Sequence, residues 1–307
     1  MIEGLFDRAA SIFERRFLKN AFLPVLLLGP AVAAPILMQG DRLSALVSWW
    51  NAQSLTVQFI ALAGYFTISW FGAAIVSSQW RNIIRLYEGY PLTRLPTFFF
   101  ARQAEERHRA ARRRIIDSSV NADLAVYRVY PDEQHVLPTR LGNVLRAAEL
   151  YPMRRYGADL IIVWSRLYYV LPRDMIDDVE DARATLEFSL VLSLWFAAFG
   201  FGGPLVAYTT GSSMSVGFLC FFGGILLAYL LYLSAISAAT EYGEHLRSAF
   251  ELHRFDLLAR YRLPFPNNLQ EERAQWRHLM SFIVSGAEPN WRYISNDAVA
   301  FDDRQPL

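Results

Sequence analysis

The chain has 307 residues, 53% hydrophobic and 19% charged, with 30 Lys and Arg against 29 Asp and Glu for a net charge of +1, and a mean hydropathy of +0.18. That balance excludes an ordinary soluble domain, and the mean charge by itself gives no sign of a basic nucleic-acid binder or an acidic tail. One cysteine, Cys220, inside an apolar run excludes a disulfide framework and cysteine-based zinc sites.

Residues 1–20 set Ile2, Leu5, Phe6, Ala9, Ile12, Phe13 and Phe17 at helical spacing between charges. The pattern predicts an amphipathic helix that lies on a leaflet or packs on other helices. Four stretches without Asp, Glu, Lys, Arg or His follow at 21–38, 55–77, 188–208 and 215–239. Each is near the roughly 20 residues that cross about 30 Å of hydrocarbon, so four transmembrane helices per subunit are predicted. Four basic residues precede the first stretch, one lies between the first pair, 17 fill the long middle segment, none separates the second pair, and eight follow the last. Basic residues are retained on the cytoplasmic side, which places the middle segment and both termini there, in a bacterial inner membrane.

The second stretch is predicted to continue as helix to about Tyr87 and to stop at Gly89 and Pro91. A helix over residues 97–119 carries the run ARQAEERHRAARRR. Alternation of Leu124, Val126 and Tyr130 before Pro131-Asp132 predicts a short strand or hairpin over 123–136. Thr139 opens a helix that Tyr151-Pro152 breaks, and 158–169 reads as a buried helix or a strand pair. Pro172 precedes an acidic helix leading into the third apolar stretch. The fourth runs on to about Tyr261, and Asn268 caps a last helix reaching about Ser285. The fold class is therefore mainly α, four spans with a mostly helical cytoplasmic domain holding at most a small β element. Its segments are 1–20, 21–78, 79–185, 186–239 and 240–307.

No GxxxxGK[ST], HExxH, GxSxG or SxxK run occurs, and the five histidines are scattered, so no catalytic residue, metal ligand or cofactor is assigned and the chain reads as a non-enzyme. The acidic run Asp174, Asp177, Asp178, Glu180, Asp181 is either a solvated helix start or a cation-concentrating vestibule. Arg109, Arg112, Arg113 and Arg114 form the densest cationic group. Arginine forks suit phosphate, so these residues are candidates for a nucleotide, a short nucleic acid or anionic lipid, beside the plain alternative of an exposed helix. The apolar stretches hold no ionisable group of the sort that proton- or ion-coupled transporters carry. They do hold Pro30, Gly200, Gly202, Gly203 and Pro204, which permit bending or close helix approach and are candidate hinge or pore positions.

The run PTRLGNVLRAAELYPMRRYGADLIIVWSRL, residues 138–167, resembles a segment of a broad group of bacterial multi-span membrane proteins. Within that resemblance Arg140, Asn143, Arg146, Glu149, Arg154, Arg155 and Tyr156 form a polar set suited to a buried network or ligand pocket, and Arg140, Arg154 and Arg155 join the candidate ligand-binding residues. The overall plan is similar to that of pore-forming membrane effectors of bacterial anti-phage defence. The expectation is a homo-oligomeric ion channel gated by an anionic ligand or protein partner, with a non-conducting scaffold or sensor that recruits a soluble protein as the alternative. For the topology, in a Cys220→Ser background a cysteine at Ser213 should react with a membrane-impermeant maleimide added outside intact cells, and one at Ser281 should not. The reverse pattern would invert the assigned orientation.

Overall fold

A computed structural model describes residues 17–37, 39–93, 98–118, 122–287 and 293. The described chain is mainly helical and contains no strand. Eleven α-helices succeed one another: α1 (Leu23–Leu37), α2 (Arg42–Asn51), α3 (Leu55–Ser78), α4 (Trp80–Glu88), α5 (Phe98–Ser118), α6 (Ala122–Val129), α7 (Arg140–Tyr156), α8 (Leu160–Leu167), α9 (Arg173–Thr209), α10 (Met214–Arg260) and α11 (Leu269–Ser285). They form two compact units, one of Met1–Phe98 with Arg183–Ala238, the other of Phe99–Ala182 with Ala239–Leu307.

In the first unit three helices, α3, α9 and α10, are long and apolar enough to cross a membrane. The expected first span differs. Its α-helix, α1, has 15 residues and follows a π-helical turn at Leu18–Phe22, so by itself it falls short of the crossing length. α1 and the turn before it pack on α3 through aromatic edges: Phe17 and Phe22 meet Trp70 with centroids 4.8 and 5.5 Å away, and Phe22 meets Phe66 at 4.9 Å. Tyr65 donates its hydroxyl to the Leu26 carbonyl. The turn between α1 and α3 contains a helix, α2, that has no buried residue and exposes Leu43, Leu46, Val47 and Trp49. Arg42 at its start donates to the Thr210 carbonyl (2.8 Å) and the Ser212 hydroxyl (3.0 Å), just past the end of α9.

α9 and α10 cross where side chains vanish. A Cβ on Gly224 would lie 2.6 Å from the Gly200 Cα, and one on Gly203 would lie 2.8 Å from the Cys220 Cβ. Small residues at such a crossing let backbones approach and make dispersion contacts that larger side chains would prevent. Ser193 accepts from the Tyr87 hydroxyl at 2.8 Å and donates to the Ala228 carbonyl across the pair at 2.8 Å.

The second unit is built on a core in which Leu160, Val163 and Leu167 of α8 meet Leu246, Phe250, Leu257 and Leu258 of α10 and Trp276 and Leu279 of α11. Segments far apart in sequence thus share one interior. Their ends are capped by side chains: Thr139 accepts from the Gly142 amide at 3.0 Å, Asp159 from Ile161 at 2.9 Å and Asn268 from Glu271 at 2.9 Å. Gly89 and Gly157 end α4 and α7 with φ of 90° and 78°, a left-handed conformation that costs glycine little.

Two local expectations are corrected. Residues 123–136 form no strand or hairpin: α6 occupies Ala122–Val129, and a 3-10 turn follows at Glu133–His135. Val126 and Tyr130, four apart, are both buried, so helical spacing decides the face. Pro152 does not break α7, which continues to Tyr156. Interior proline costs about 3 kcal/mol, and tertiary bonds on both sides of it, from Tyr151 and Tyr156 to Glu251, hold the helix through that position. The 158–169 alternatives resolve as the helix α8. The expected N-terminal helix lies outside the described residues up to Arg16.

Gly224→Ala should lower the thermal midpoint in detergent, an overpacking cost of about 1–3 kcal/mol, because its Cβ meets backbone. Gly223→Ala, which meets nothing within 4 Å, is the control and should be neutral or slightly stabilising; equal losses at both positions would discount the crossing.

Candidate functional site

Four of the nominated arginines converge on one turn. On α5, Arg109 and Arg112 use Nε to donate to the carbonyls of Glu133 (3.3 Å) and Pro131 (3.1 Å), and Arg113 pairs with the Glu133 carboxylate. From α7, Arg154 reaches Asp132 at 3.0 Å. The spacing 109, 112, 113 is one helical face, which is why three arginines of a dense run arrive together. Arg109 also bonds Glu105 one turn back at 3.3 Å. Arg113 holds the Glu133 carboxyl below its usual range, chiefly by its hydrogen bond, with Arg112 and Arg109 adding charge.

Arg140 belongs to the same neighbourhood. Burial first and its charge second push the His108 imidazole below its ordinary pKa, and His108 Nδ1 lies 3.3 Å from the Tyr130 hydroxyl. Arg155 is placed differently: its carbonyl accepts from Arg273 Nε at 2.8 Å. Arg114 is exposed on α5.

Residues that the sequence did not single out form a second polar cluster on α10. Glu244, Arg247, Glu251 and Arg254 recur at three- and four-residue steps and so share a face. Arg247 is 1% exposed, stacked over the Tyr127 ring at 4.5 Å, with Nη1 on Glu244 (3.2 Å) and Nη2 donating to the Tyr127 carbonyl (3.1 Å). Its Nε and the Trp195 Nε1 are the buried side-chain atoms without a partner among the described residues. Burial lowers the Arg247 pKa, while Tyr127 and Glu244 oppose that shift. Arg128, beside Tyr127 on α6, pairs with Glu244 at 3.3 Å.

One turn further along, Glu251 accepts from the hydroxyls of Tyr151 and Tyr156, the latter at 3.0 Å. Both phenols are raised above their ordinary range, by burial first and by that carboxylate next. Arg254 lies over the Tyr156 ring at 4.8 Å and bonds Glu272 at 2.8 Å; Trp276 Nε1 donates to the same carboxylate at 3.4 Å.

The polar set of residues 138–167 is divided by the fold. Asn143 is buried and satisfied locally, accepting from the Leu137 amide and donating to the carbonyls of Leu137 and Thr139 at 2.8–2.9 Å. Arg146 pairs with Glu149 at 3.1 Å, and Tyr156 joins Glu251. Of the hinge candidates, Gly200 and Gly203 sit at the helix crossing, Gly202 meets nothing within 4 Å, Pro204 lies inside an unbroken α9, and Pro30 is exposed within α1. The acids Asp174, Asp177, Asp178 and Asp181 are exposed on the first turns of α9. Among the described residues no three His, Cys, Asp or Glu gather as a metal site.

No protein-family model matches this chain, nor does any curated protein or solved structure.

The turn cluster is cation-rich and partly open to solvent, whereas the α10 cluster is a buried polar network around Arg247. Arg247→Ala should destabilise the protein by on the order of 3 kcal/mol, since it removes both the aromatic stacking and a buried charge partner. Chemical denaturation of the purified protein measures this; a change under about 0.5 kcal/mol would remove Arg247 from the fold's supports.

Proposed function

We propose that this chain is a homo-oligomeric membrane channel of the bacterial inner membrane, with four spans per subunit and both termini cytoplasmic, gated through its arginine-rich unit by an anionic ligand or a protein partner. What carries the reading is the construction of α9 and α10. Each joins a charge-free apolar stretch and a charged stretch in one unbroken helix of 37 and 47 residues. The same two helices therefore supply both apolar spans and part of the arginine-rich unit, a direct covalent link between ligand site and membrane.

Three further features support it. Phe201, Leu205, Leu219, Phe222, Leu226 and Leu230 are exposed on the isolated subunit, apolar surface that lipid or other subunits would cover. The spans hold no ionisable group, which fits a pore closed by dewetting at an apolar constriction. The turn at Leu18–Phe22 runs directly into α1, giving a charge-free helical run from Ala21 to Leu37 that approaches the length of a fourth crossing.

A non-conducting scaffold is the second reading, favoured by Met153, Ile161 and Tyr169, apolar side chains exposed on the charged unit at 42, 66 and 88%. Planar-bilayer recordings of purified protein separate the two. Discrete conductance steps whose open time changes on adding nucleotide or oligonucleotide are expected. A silent bilayer under all such ligands, together with stoichiometric capture of a soluble protein that Tyr169→Asp abolishes, would establish the scaffold instead.

A further inference from the structure

The turn at residues 131–133 presents to the arginines what an anionic ligand would present. Two carbonyls, Pro131 and Glu133, and two carboxylates, Asp132 and Glu133, face Arg109, Arg112, Arg113 and Arg154. The turn satisfies those cations incompletely. Each guanidinium has five N–H donors in a planar fork, and bidentate acceptance by one anion is its strongest arrangement. Arg112 and Arg154 instead present only Nε, and among the described residues their Nη atoms have no hydrogen-bond partner. Four positive charges face three carboxylates, counting Glu105 on Arg109. Both turn carboxylates and the side chains of Arg113 and Arg154 are reached by solvent, at 39 to 66% exposure.

We propose that this turn is a built-in occupant of an arginine site for a chain of phosphates, and that a phosphate-bearing polyanion takes these arginines from it. Linked phosphates bring several negative charges and repeated pairs of acceptor oxygens to Nη atoms that the turn leaves unused. A neutral carbonyl offers a single dipole in their place. The phosphate belongs either to a soluble ligand or to a lipid headgroup, since both offer the same oxygens to the same forks.

Displacement of the turn has a defined consequence within the unit. Residues 131–133 follow Tyr127 and Arg128, which hold α10 through the Arg247 and Glu244 bonds. Between the two sets of contacts lie only Val129 and Tyr130, and the Tyr130 hydroxyl faces His108. A polyanion on the arginines therefore acts, within one short segment, on the clasp that α6 makes with α10.

The inference rests on the reading that the arginine-rich unit receives an anionic ligand, and it is independent of conduction. Full-length protein in detergent is titrated calorimetrically with inorganic triphosphate at about 50 mM salt, where screening is moderate. The pair Asp132→Asn, Glu133→Gln empties the turn of charge and should tighten binding about tenfold or more. The pair Arg112→Gln, Arg154→Gln should weaken it by at least about as much. Wild-type binding that the turn variant does not tighten overturns the built-in occupant while leaving the anion site standing. No binding by the wild type or by the turn variant overturns the anion reading itself. Glu133→Gln alone, at a half-buried position, serves if the double variant does not fold. Repeating the titration in nanodiscs assigns the source: weaker apparent affinity in phosphatidylglycerol than in phosphatidylcholine identifies a lipid phosphate as competitor, and equal affinities identify a soluble one.

Discussion

A helix that is apolar over a membrane-crossing length and charged over the remainder cannot be satisfied by one solvent. α9 and α10 are both of this kind, and most of the molecule follows from them. Their apolar lengths admit no unsatisfied backbone group and no charge, so helix is the only structure open to them in hydrocarbon. The hydrophobic effect supplies no attraction between helices there, and glycine at the crossing provides close packing in its place. The polar length of α10 takes its partners from α6, α7, α8 and α11, segments far apart in sequence.

The interior of the charged unit is more polar than a minimal core requires. Arg247, Glu251 and Arg254 face tyrosines where leucines would pack, although desolvating charge is expensive. Cation over ring, phenol to carboxylate and guanidinium to carbonyl are directional, whereas apolar contacts are not. Such a network favours one rotation and one register of α10 against α6 and α7. A helix that turned by a single residue would keep much of its apolar contact and lose nearly all of these bonds.

The sequence was legible where punctuation and length speak for themselves. Gly89, Pro172 and Asn268 mark helix ends because backbone conformation or capping is a local property. The three long apolar helices were legible because crossing length is a sum over residues. Residues 123–136 were not, since Leu124, Val126 and Tyr130 fit a period of two as well as a turn of helix, and only burial against α7 distinguishes them. The continuation through Pro152 depends on bonds from Glu251, a hundred residues away. The arginine run was visible, but the turn that meets it was not, because nothing local says that Asp132 and Glu133 oppose α5 and α7. Arg247 offered the least signal: a charged residue between apolar positions on a helix usually reaches water, and only the tyrosines around it show otherwise.

Arg42 is the one basic residue between the first two apolar stretches, and it is not idle. By holding Thr210 and Ser212 it fastens the start of α2 to the far end of α9. One side chain thus ties the loop that follows α9 to the loop that precedes α3, so neither can peel away without breaking bonds to the other.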